Sequence, residues 1–379
     1  MQARPRLLHA WTAQVRALLP TLRATRAAPL ATFALGILWA GNVTLLKVAA
    51  ALPLGVCDPS TERRLRRFVA NPGVVVQEIW PALLPALLAG RRGDRRFVFD
   101  PTPYRDRATV LVVGLVQRRR VLPVAWRVTA QQITWDETMP DLLGAMLAEV
   151  NAALPPACQA PQGRMTLLCD RGLVGVGIVD ACQAAGWDLV LRLRSSAGDA
   201  TMAVLPDGTE TGVAALAAAR VSGPGQRWHG PVQLLKGAGW RAGHLTVSWG
   251  RGESEPWVLF STRAGGAARV RDYRRRADAE ATYEDCKTRG FDLERSKLTA
   301  RDRIDRLLLA LHLALWWGQQ LGLRAIRTGQ RRRFDRTDRR DLSVARLGRR
   351  LFLAYLDADR CPPLPFHRGP AGLRYTWLG

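Results

Sequence analysis

The stretch RRFVFDPTPYRDRATVLVVGLVQRRRVLPVAWRVTA, residues 95–130, contains three apolar runs separated by short polar segments. The runs are rich in Val, Leu and Phe, which favour buried strands. The second and third runs flank Arg118, Arg119 and Arg120 and predict a hairpin-like pair. The predicted strands therefore begin here, whereas the preceding residues, up to about residue 90, are predicted to be helical.

Helix and strand patterns alternate after this hairpin. Apolar residues recur at helical spacing over 140–154, MTLLCD (165–170) is a buried type of strand, 171–186 is a helix, and WDLVLRLR (187–194) is another strand. This order predicts an α/β fold with a mixed sheet and flanking helices. It is also the order of elements in a ribonuclease H-like core.

The rest of the chain divides by composition into further regions. We predict a helical region at 1–92, an α/β core at 93–194 and 264–322, and a β-rich insertion at 195–263. The region 323–379 is basic, with eleven Arg against three Asp between Arg324 and Arg350. It is predicted to contact DNA or to be a partly disordered tail.

The net charge points to a polyanionic partner. The chain has 56 Lys and Arg against 32 Asp and Glu, a formal charge of +24, and neutralising phosphates supplies most of the affinity in nucleic-acid binding. Within 60–72, Ser60 is predicted to cap a helix whose Arg63, Arg64 and Arg67 could follow a phosphate backbone. A solvated helix face is the alternative for these arginines.

Other classes of protein find less support. The six cysteines form no CxxC pair, which indicates reduced thiols rather than disulfides or a zinc site. The apolar segment 31–55 is nearly long enough to span a bilayer. However, it contains Asn42, Thr44 and Lys47, so a buried helix or helix pair is favoured over a membrane span.

Two predicted strands end in aspartate, at Asp100 and Asp170. Carboxylates at the carboxyl ends of strands are well placed for a site at the edge of an open sheet. Asp100 precedes Pro-Thr-Pro, so a turn residue is the alternative there. Asp170 precedes Arg171-Gly172, and the glycine permits a tight turn from strand to helix.

The stretch YRRRADAEATYEDCKTRG, residues 273–290, contributes a further carboxylate. At 100° per residue, Tyr273, Arg276, Glu280 and Lys287 fall within about 60° of one another on a helix. Glu284 lies on the same stripe, so helical geometry alone does not separate it from Glu280. Such stripes also often simply face water.

Together these acids suggest a chemistry. Three carboxylates from two strands and a later helix are hard oxygen ligands, which suit two Mg²⁺ or Mn²⁺ ions. Paired ions of this kind serve in-line phosphodiester displacement without a side-chain nucleophile. The sequence supports neither a Ser/His/Asp or Cys/His site nor a GxxxxGK[ST] nucleotide-binding loop.

In these motifs the chain resembles the DDE transposases of bacterial insertion-sequence family four. Tyr273, Arg276, Glu280 and Lys287 reproduce the family's Y-x2-R-x3-E-x6-K signature, while Asp100 in FVFDPT and Asp170-Arg171-Gly172 resemble its two aspartate motifs. The resemblance covers roughly residues 95–320. Two positions depart from the pattern, because Ala277 and Ala279 stand where the family usually has Trp and a bulky aliphatic residue.

The resemblance implies a ribonuclease H-like core with Asp100, Asp170 and Glu280 as the metal-binding catalytic triad. Tyr273, Arg276 and Lys287 would hold DNA phosphates. Trp257 would stack on a flipped base, the alternative being a core tryptophan. The basic N-terminal helices would recognise the terminal inverted repeats.

The implied protein cleaves insertion-sequence ends and joins the freed 3′-hydroxyls to target DNA. It would work in the bacterial cytoplasm, at the nucleoid, as a homodimer that synapses two ends, and would require no membrane. The alternatives are a catalytically inactive, transposase-derived DNA-binding or regulatory protein, and a membrane-associated protein that uses the segment 31–55.

Overall fold

The structure, a computed structural model, describes residues 3–130, 138–196, 199–287, 290–369 and 372–375. The N-terminal part is helical, as predicted. Its five helices are α1 (Ala3–Leu18), α2 (Ala24–Ala40), α3 (Leu45–Ala51), α4 (Asp58–Ala70) and α5 (Val76–Leu88).

The predicted hairpin and the alternating elements after it are present. They are β1 (Arg95–Tyr104), β2 (Ala108–Gln117), β3 (Arg120–Thr129), α6 (Thr138–Ala153), β4 (Met165–Cys169), α7 (Val176–Ala184) and β5 (Asp188–Arg192). The next segment adds β6 (Met202–Val204), β7 (Glu210–Gly212), α8 (Val213–Arg220), β8 (Arg227–Leu234), β9 (Arg241–Ser248) and β10 (Trp257–Ser261). Strand β8 ends at Leu234, and a 3₁₀ turn at Lys236–Ala238 leads into β9.

The remaining elements carry the signature stretch and the C-terminal region. They are α9 (Ala267–Tyr273), α10 (Ala277–Lys287), α11 (Arg301–Arg327), α12 (Val344–Asp357), β11 (Phe366–Gly369) and β12 (Gly372–Tyr375). Helix α12 packs along α11, where an added Cβ at Gly348 would lie 1.7 Å from the Gly318 carbonyl oxygen. Only glycine at this crossing allows the two backbones to approach so closely.

One ten-stranded mixed sheet organises the molecule, in the order β3-β2-β1-β4-β5-β10-β9-β8-β6-β7. Strand β1 pairs antiparallel with β2 and parallel with β4, and β4 pairs parallel with β5. Strand β10 pairs antiparallel with β5 and continues the sheet into the predicted insertion. The structure is thus α/β with a large mixed sheet and flanking helices, while the domain boundaries remain predictions.

The two faces of the central strands belong to different layers. Val98, Leu168, Val190 and Leu259 alternate with residues that point to the opposite face. They pack under α9 and α10 in a small cluster that includes Ala279, which is 1 % exposed. The other face joins the main core, which contains α2, α6 and α11. The small side chain at Ala279 therefore packs directly onto the sheet.

Three local predictions were wrong. Strand β1 continues to Tyr104, so Asp100 lies inside a strand rather than at its end. Helix α4 begins at Asp58, with Cys57 as its N-cap, so Ser60 lies within the first turn. The signature stretch is not one α-helix, because a 3₁₀ turn at Arg274–Arg276 joins α9 to α10.

The apolar segment 31–55 lies in α2 and α3 and the residues around them. Among the described residues, no single helix combines the length and apolar composition that a membrane span needs. Helices α2 and α3 have this length and composition only when taken together, and the angle between the two helices is 88°.

Candidate functional site

Asp100 and Asp170 lie side by side on neighbouring strands. The parallel register of β1 and β4 ends with Phe99 opposite Cys169, and each aspartate is the residue that follows in the chain. Strand β4 stops there, and Asp170 opens a 3₁₀ turn, as the Arg-Gly pair after it suggested. Strand β1 continues along β2, with Pro101 and Pro103 where it has no β4 neighbour. The site lies where β4 ends and β1 continues without it.

The guanidinium of Arg276 lies at the centre of three carboxylates. Its Nη2 atom is 3.1 Å from Asp100 Oδ1 and 3.3 Å from Asp170 Oδ2, and its Nη1 is 2.8 Å from Glu280 Oε1. The Arg276 side chain is 17 % exposed, so these interactions are weakly screened. The structure thus brings together all three predicted metal ligands, but around an arginine of the signature itself.

Tyr273 connects this centre to strand β10 of the same sheet. Its hydroxyl donates to Asp170 Oδ1 at 2.9 Å, and its ring meets Trp257 edge-on at 5.2 Å between centroids. The guanidinium of Arg192 lies 5.8 Å from the centroid of the Trp257 ring. Trp257 is half-buried and packs against the small cluster under α9 and α10. The structure therefore places Trp257 beside the site, with a packing role in this state.

Buried polar contacts fix α10 against the sheet. The Thr282 hydroxyl accepts from the Val121 backbone N–H at 2.8 Å and donates to the Asp278 carbonyl oxygen at 3.0 Å. One turn further, Asp285 pairs with Arg120 at 3.3 Å. Since Glu280 lies on the same helix, two residues before the first of these contacts with the sheet, they set which face of α10 meets Asp100 and Asp170.

The two aspartates differ in their affinity for protons. Burial raises the pKa of the Asp100 carboxyl, and Arg276 offsets only part of this effect. Burial also opposes ionisation of Asp170, but the Arg171 backbone N–H, Arg276 and the Tyr273 hydroxyl outweigh it and lower the pKa of Asp170. Burial likewise disfavours the charge on Arg276, yet Asp100 and Asp170 raise the pKa of its guanidinium. The cluster therefore favours a charged arginine.

A cavity of about 710 Å³ opens onto this cluster. Asp100, Asp170, Arg276 and Glu280 line it, and so does Lys287 from the end of α10. Glu284 lines it as well, but of the two glutamates it is Glu280 that pairs with Arg276. All four signature residues thus approach one site, although they lie on three successive helical segments rather than on one helix.

The carboxylates suit a hard divalent ion, but they are not arranged around one in this state. Among the residues that the structure describes, no group of three or more His, Cys, Asp and Glu forms a metal-ligand set. A cation already sits where the three carboxylates converge, so the site is built to hold positive charge. Asp100, Asp170 and Glu280 supply oxygen donors of the type that Mg²⁺ and Mn²⁺ prefer, and in this structure they surround the Arg276 guanidinium.

The other predicted DNA contacts lie apart from the cavity. Arg63, Arg64 and Arg67 are exposed on α4, whose Leu65, Phe68 and Val69 are buried. This amphipathic arrangement presents the arginines to solvent. Both the predicted DNA contact and the alternative, a solvated helix face, require this exposure. Their role stays a prediction.

Sequence reasoning missed several residues at the site. Tyr283 and Glu294 line the cavity. Arg171 and Arg192 share Glu255 at 3.3 and 2.7 Å. The position of Arg171 next to Asp170 was a usable signal. Glu294, by contrast, follows the signature stretch in a short 3₁₀ turn at Leu293–Arg295, so nothing in its sequence spacing marks it.

Comparison with known proteins assigns no family. No protein-family model matches the chain, and no curated protein matches its sequence.

Proposed function

We propose that this protein is a DDE transposase that cleaves the ends of an insertion sequence and joins the freed 3′-hydroxyls to target DNA. The observation that carries the proposal is the convergence of Asp100, Asp170 and Glu280 on one guanidinium in an open cavity. Carboxylates from two adjacent strands and a later helix meet there, in a chain with a net charge of +24.

The sheet supports a ribonuclease H-like core for this proposal. The strands β3-β2-β1-β4-β5 have two antiparallel pairings followed by two parallel ones, with α6 between β3 and β4 and α7 between β4 and β5. This is the order of elements in that core. Strands β6–β10 then correspond to the insertion, and they bring Trp257 beside Tyr273.

In the proposed reaction Asp100, Asp170 and Glu280 hold two Mg²⁺ or Mn²⁺ ions. Such ions, when bound, activate a water or a 3′-hydroxyl and stabilise the leaving oxygen. Arg276 exchanges its carboxylate partners for a DNA phosphate, which it can hold through two parallel hydrogen bonds. Lys287 holds a second phosphate, and the Tyr273 hydroxyl keeps one oxygen of Asp170 in place.

The remaining roles concern DNA binding and assembly. Trp257 leaves its contact with Tyr273 to stack on a flipped base. The arginines of α4 contact the terminal repeats, and a homodimer synapses the two ends. The protein acts at the nucleoid in the bacterial cytoplasm.

A catalytically inactive DNA-binding protein of transposase descent is the second candidate. The pairing of Arg276 with all three carboxylates favours it, because an arginine that never leaves would keep metal ions out.

The test uses a donor plasmid that carries the coding region and its flanking DNA. With Mn²⁺, we expect the wild-type protein to break strands at inverted repeats that border the coding region. Asp170→Ala should abolish the breaks and still bind the ends. Asp180→Ala, which removes a half-exposed partner of Arg241 on α7, should cleave normally. End binding without cleavage by the wild-type protein would favour the second candidate.

A further inference from the structure

The turn between β2 and β3 holds two consecutive arginines in an unfavourable backbone conformation. Gln117 pairs with Arg120 across the hairpin, so Arg118 and Arg119 are the two turn residues. Their φ angles are 42° and 65°. A two-residue turn with both φ angles positive favours Asn-Gly, because a Cβ crowds the backbone there. The chain thus keeps two large side chains where small residues fold more easily.

Both side chains are available to a partner. Arg118 and Arg119 are exposed, and within the described part of the chain neither forms an ion pair. Arg120 differs, because it is largely buried, pairs with Asp285 and donates to the Arg119 carbonyl oxygen at 2.6 Å. The third arginine therefore anchors the turn, while the first two project from it.

The turn lies beside the start of α10. Thr282 on α10 accepts from the Val121 backbone N–H, two residues after the turn. Arg275 pairs with Asp278 at 3.3 Å, and Arg119 adds to the positive potential that acts on the Asp278 carboxyl. Arg118, Arg119 and Arg275 carry three positive charges against the single negative charge of Asp278, so the surface they form keeps a net positive charge. We call these three residues the arginine-turn surface.

We propose that the arginine-turn surface binds the phosphate backbone of duplex DNA outside the cavity. This inference rests on the proposed function, since it assumes that DNA is the partner. Val112 lies opposite Asp100, and Arg118 is six residues further along, which corresponds to about 20 Å of strand. A duplex that enters the cavity and follows the strands would reach the turn about six base pairs away, at 3.4 Å of rise per pair.

Guanidinium groups favour phosphate as the ligand. They bind phosphate through paired hydrogen bonds and are more weakly hydrated than ammonium groups. Contacts of this kind neutralise phosphates without reading bases. The surface would therefore bind DNA of any sequence and contribute to the salt dependence of binding.

Two variants of the turn separate charge from backbone strain. Arg118→Asn with Arg119→Gly removes both charges and suits the turn. Arg118→Lys with Arg119→Lys keeps the charges and the strain. A third variant, Arg220→Gln with Arg360→Gln, removes two exposed arginines, one at the end of α8 and one in the segment that follows α12. The measurement is the slope of log Kd against log salt concentration for a random-sequence 30-base-pair duplex, together with the melting temperature.

We expect the Asn-Gly variant to melt at a higher temperature than wild type and to lower the slope by about 1.8, the value for two lost phosphate contacts. The Lys-Lys variant should keep the wild-type slope and melting temperature, and the Arg220/Arg360 variant should keep the wild-type slope. An unchanged slope in the Asn-Gly variant would overturn the proposal. An equal fall of the slope in the Arg220/Arg360 variant would also overturn it. So would a wild-type protein that binds a protein partner but does not bind the duplex.

The donor-plasmid assay separates this proposal from the proposed function. If the wild-type protein does not cleave, but the salt slope falls in the Asn-Gly variant, the DNA-binding role of the arginine-turn surface stands and the transposase proposal fails. If the wild-type protein cleaves, but the slope is unchanged in the Asn-Gly variant, the transposase proposal stands and the role of the arginine-turn surface fails.

Discussion

The positive charge of arginine is compensated differently at two sites of this protein, at Arg276 in the cavity and at Arg118 and Arg119 in the β2–β3 turn. Arg276 is 17 % exposed and contacts three carboxylates. Arg118 and Arg119 are exposed and lie in a strained turn. The first is held by the protein's own anions, whereas the second pair is left for anions from outside.

The difference teaches how the sequence distributes its excess charge. A buried guanidinium without carboxylates would be costly, so the cavity needs acids around Arg276 until a ligand arrives. At the surface no such compensation is needed, because water and salt screen the charge. Removing one charge should therefore destabilise the fold in the cavity, where the remaining charges are poorly screened, but should have little effect on stability at the turn.

The largest expected effect comes from the two glutamates of α10. Glu280→Gln should reduce metal-dependent cleavage by at least about 10²- to 10³-fold, the loss typical of a group that stabilises reacting charge. Glu284→Gln, one turn away on the same cavity wall, should change cleavage by only a few-fold. Rates on the donor plasmid measure both. Equal losses in the two variants would mean that the pairing with Arg276 does not identify the catalytic acid.

Arg276→Gln should come next in size, measured as the free energy of unfolding at neutral pH. Removing one partner of a buried charge cluster costs about 3 kcal/mol, because Asp100 and Asp170 are left to repel each other. Arg275→Gln is the matched control: Arg275 is 36 % exposed and pairs with one carboxylate, so the cost should stay below about 1 kcal/mol. Equal costs would show that the cavity is as well screened as the surface.

The sequence predicted the strands of the sheet better than it predicted the contacts within the site. The hairpin of β2 and β3 was predicted because both strands are apolar runs bounded by turn residues. The end of β1 was missed because Pro-Thr-Pro reads as a turn, whereas β1 continues there as an edge beside β2. Ser60 was misjudged because Asp58 and Pro59 start the helix earlier.

Within the site, spacing singled out residues that do meet. It could not show that Arg276 contacts the carboxylates rather than a phosphate, because this depends on how closely α10 approaches β1 and β4. Nor could it find Tyr283, whose hydroxyl is buried at the cavity with no hydrogen-bond partner among the described residues. Such contacts are set by packing between elements that are distant in the sequence.

The smallest expected effect is a difference in sign between two conservative variants. Asp100 has a raised pKa in the folded protein, so its contribution to stability is present below the unfolded pKa and is lost as pH rises through the folded value. Asp170 has a lowered pKa, so its contribution is present above the unfolded pKa and is lost as pH falls through the folded value. At neutral pH, Asp100→Asn should therefore stabilise the fold and Asp170→Asn should destabilise it.

Denaturant unfolding at pH 7 and at pH 4 measures this difference. The two variants should differ in opposite directions from wild type at pH 7. At pH 4 the Asp100→Asn difference should shrink, because the folded pKa of Asp100 is raised. The Asp170→Asn difference should largely remain at pH 4, because the folded pKa of Asp170 lies below the ordinary value of about 3.9. Variants that shift stability in the same direction at pH 7 would contradict the assigned environments of the two aspartates.

The most direct test of the central claim is a count of bound Mn²⁺. Wild type and an Asp100→Asn/Asp170→Asn double variant, each saturated with the same DNA duplex, are titrated with Mn²⁺ while the free ion is followed by electron paramagnetic resonance. The site around Arg276 predicts that wild type binds tightly held Mn²⁺ ions that the double variant does not bind. Equal numbers of tightly bound ions in the two complexes would contradict it.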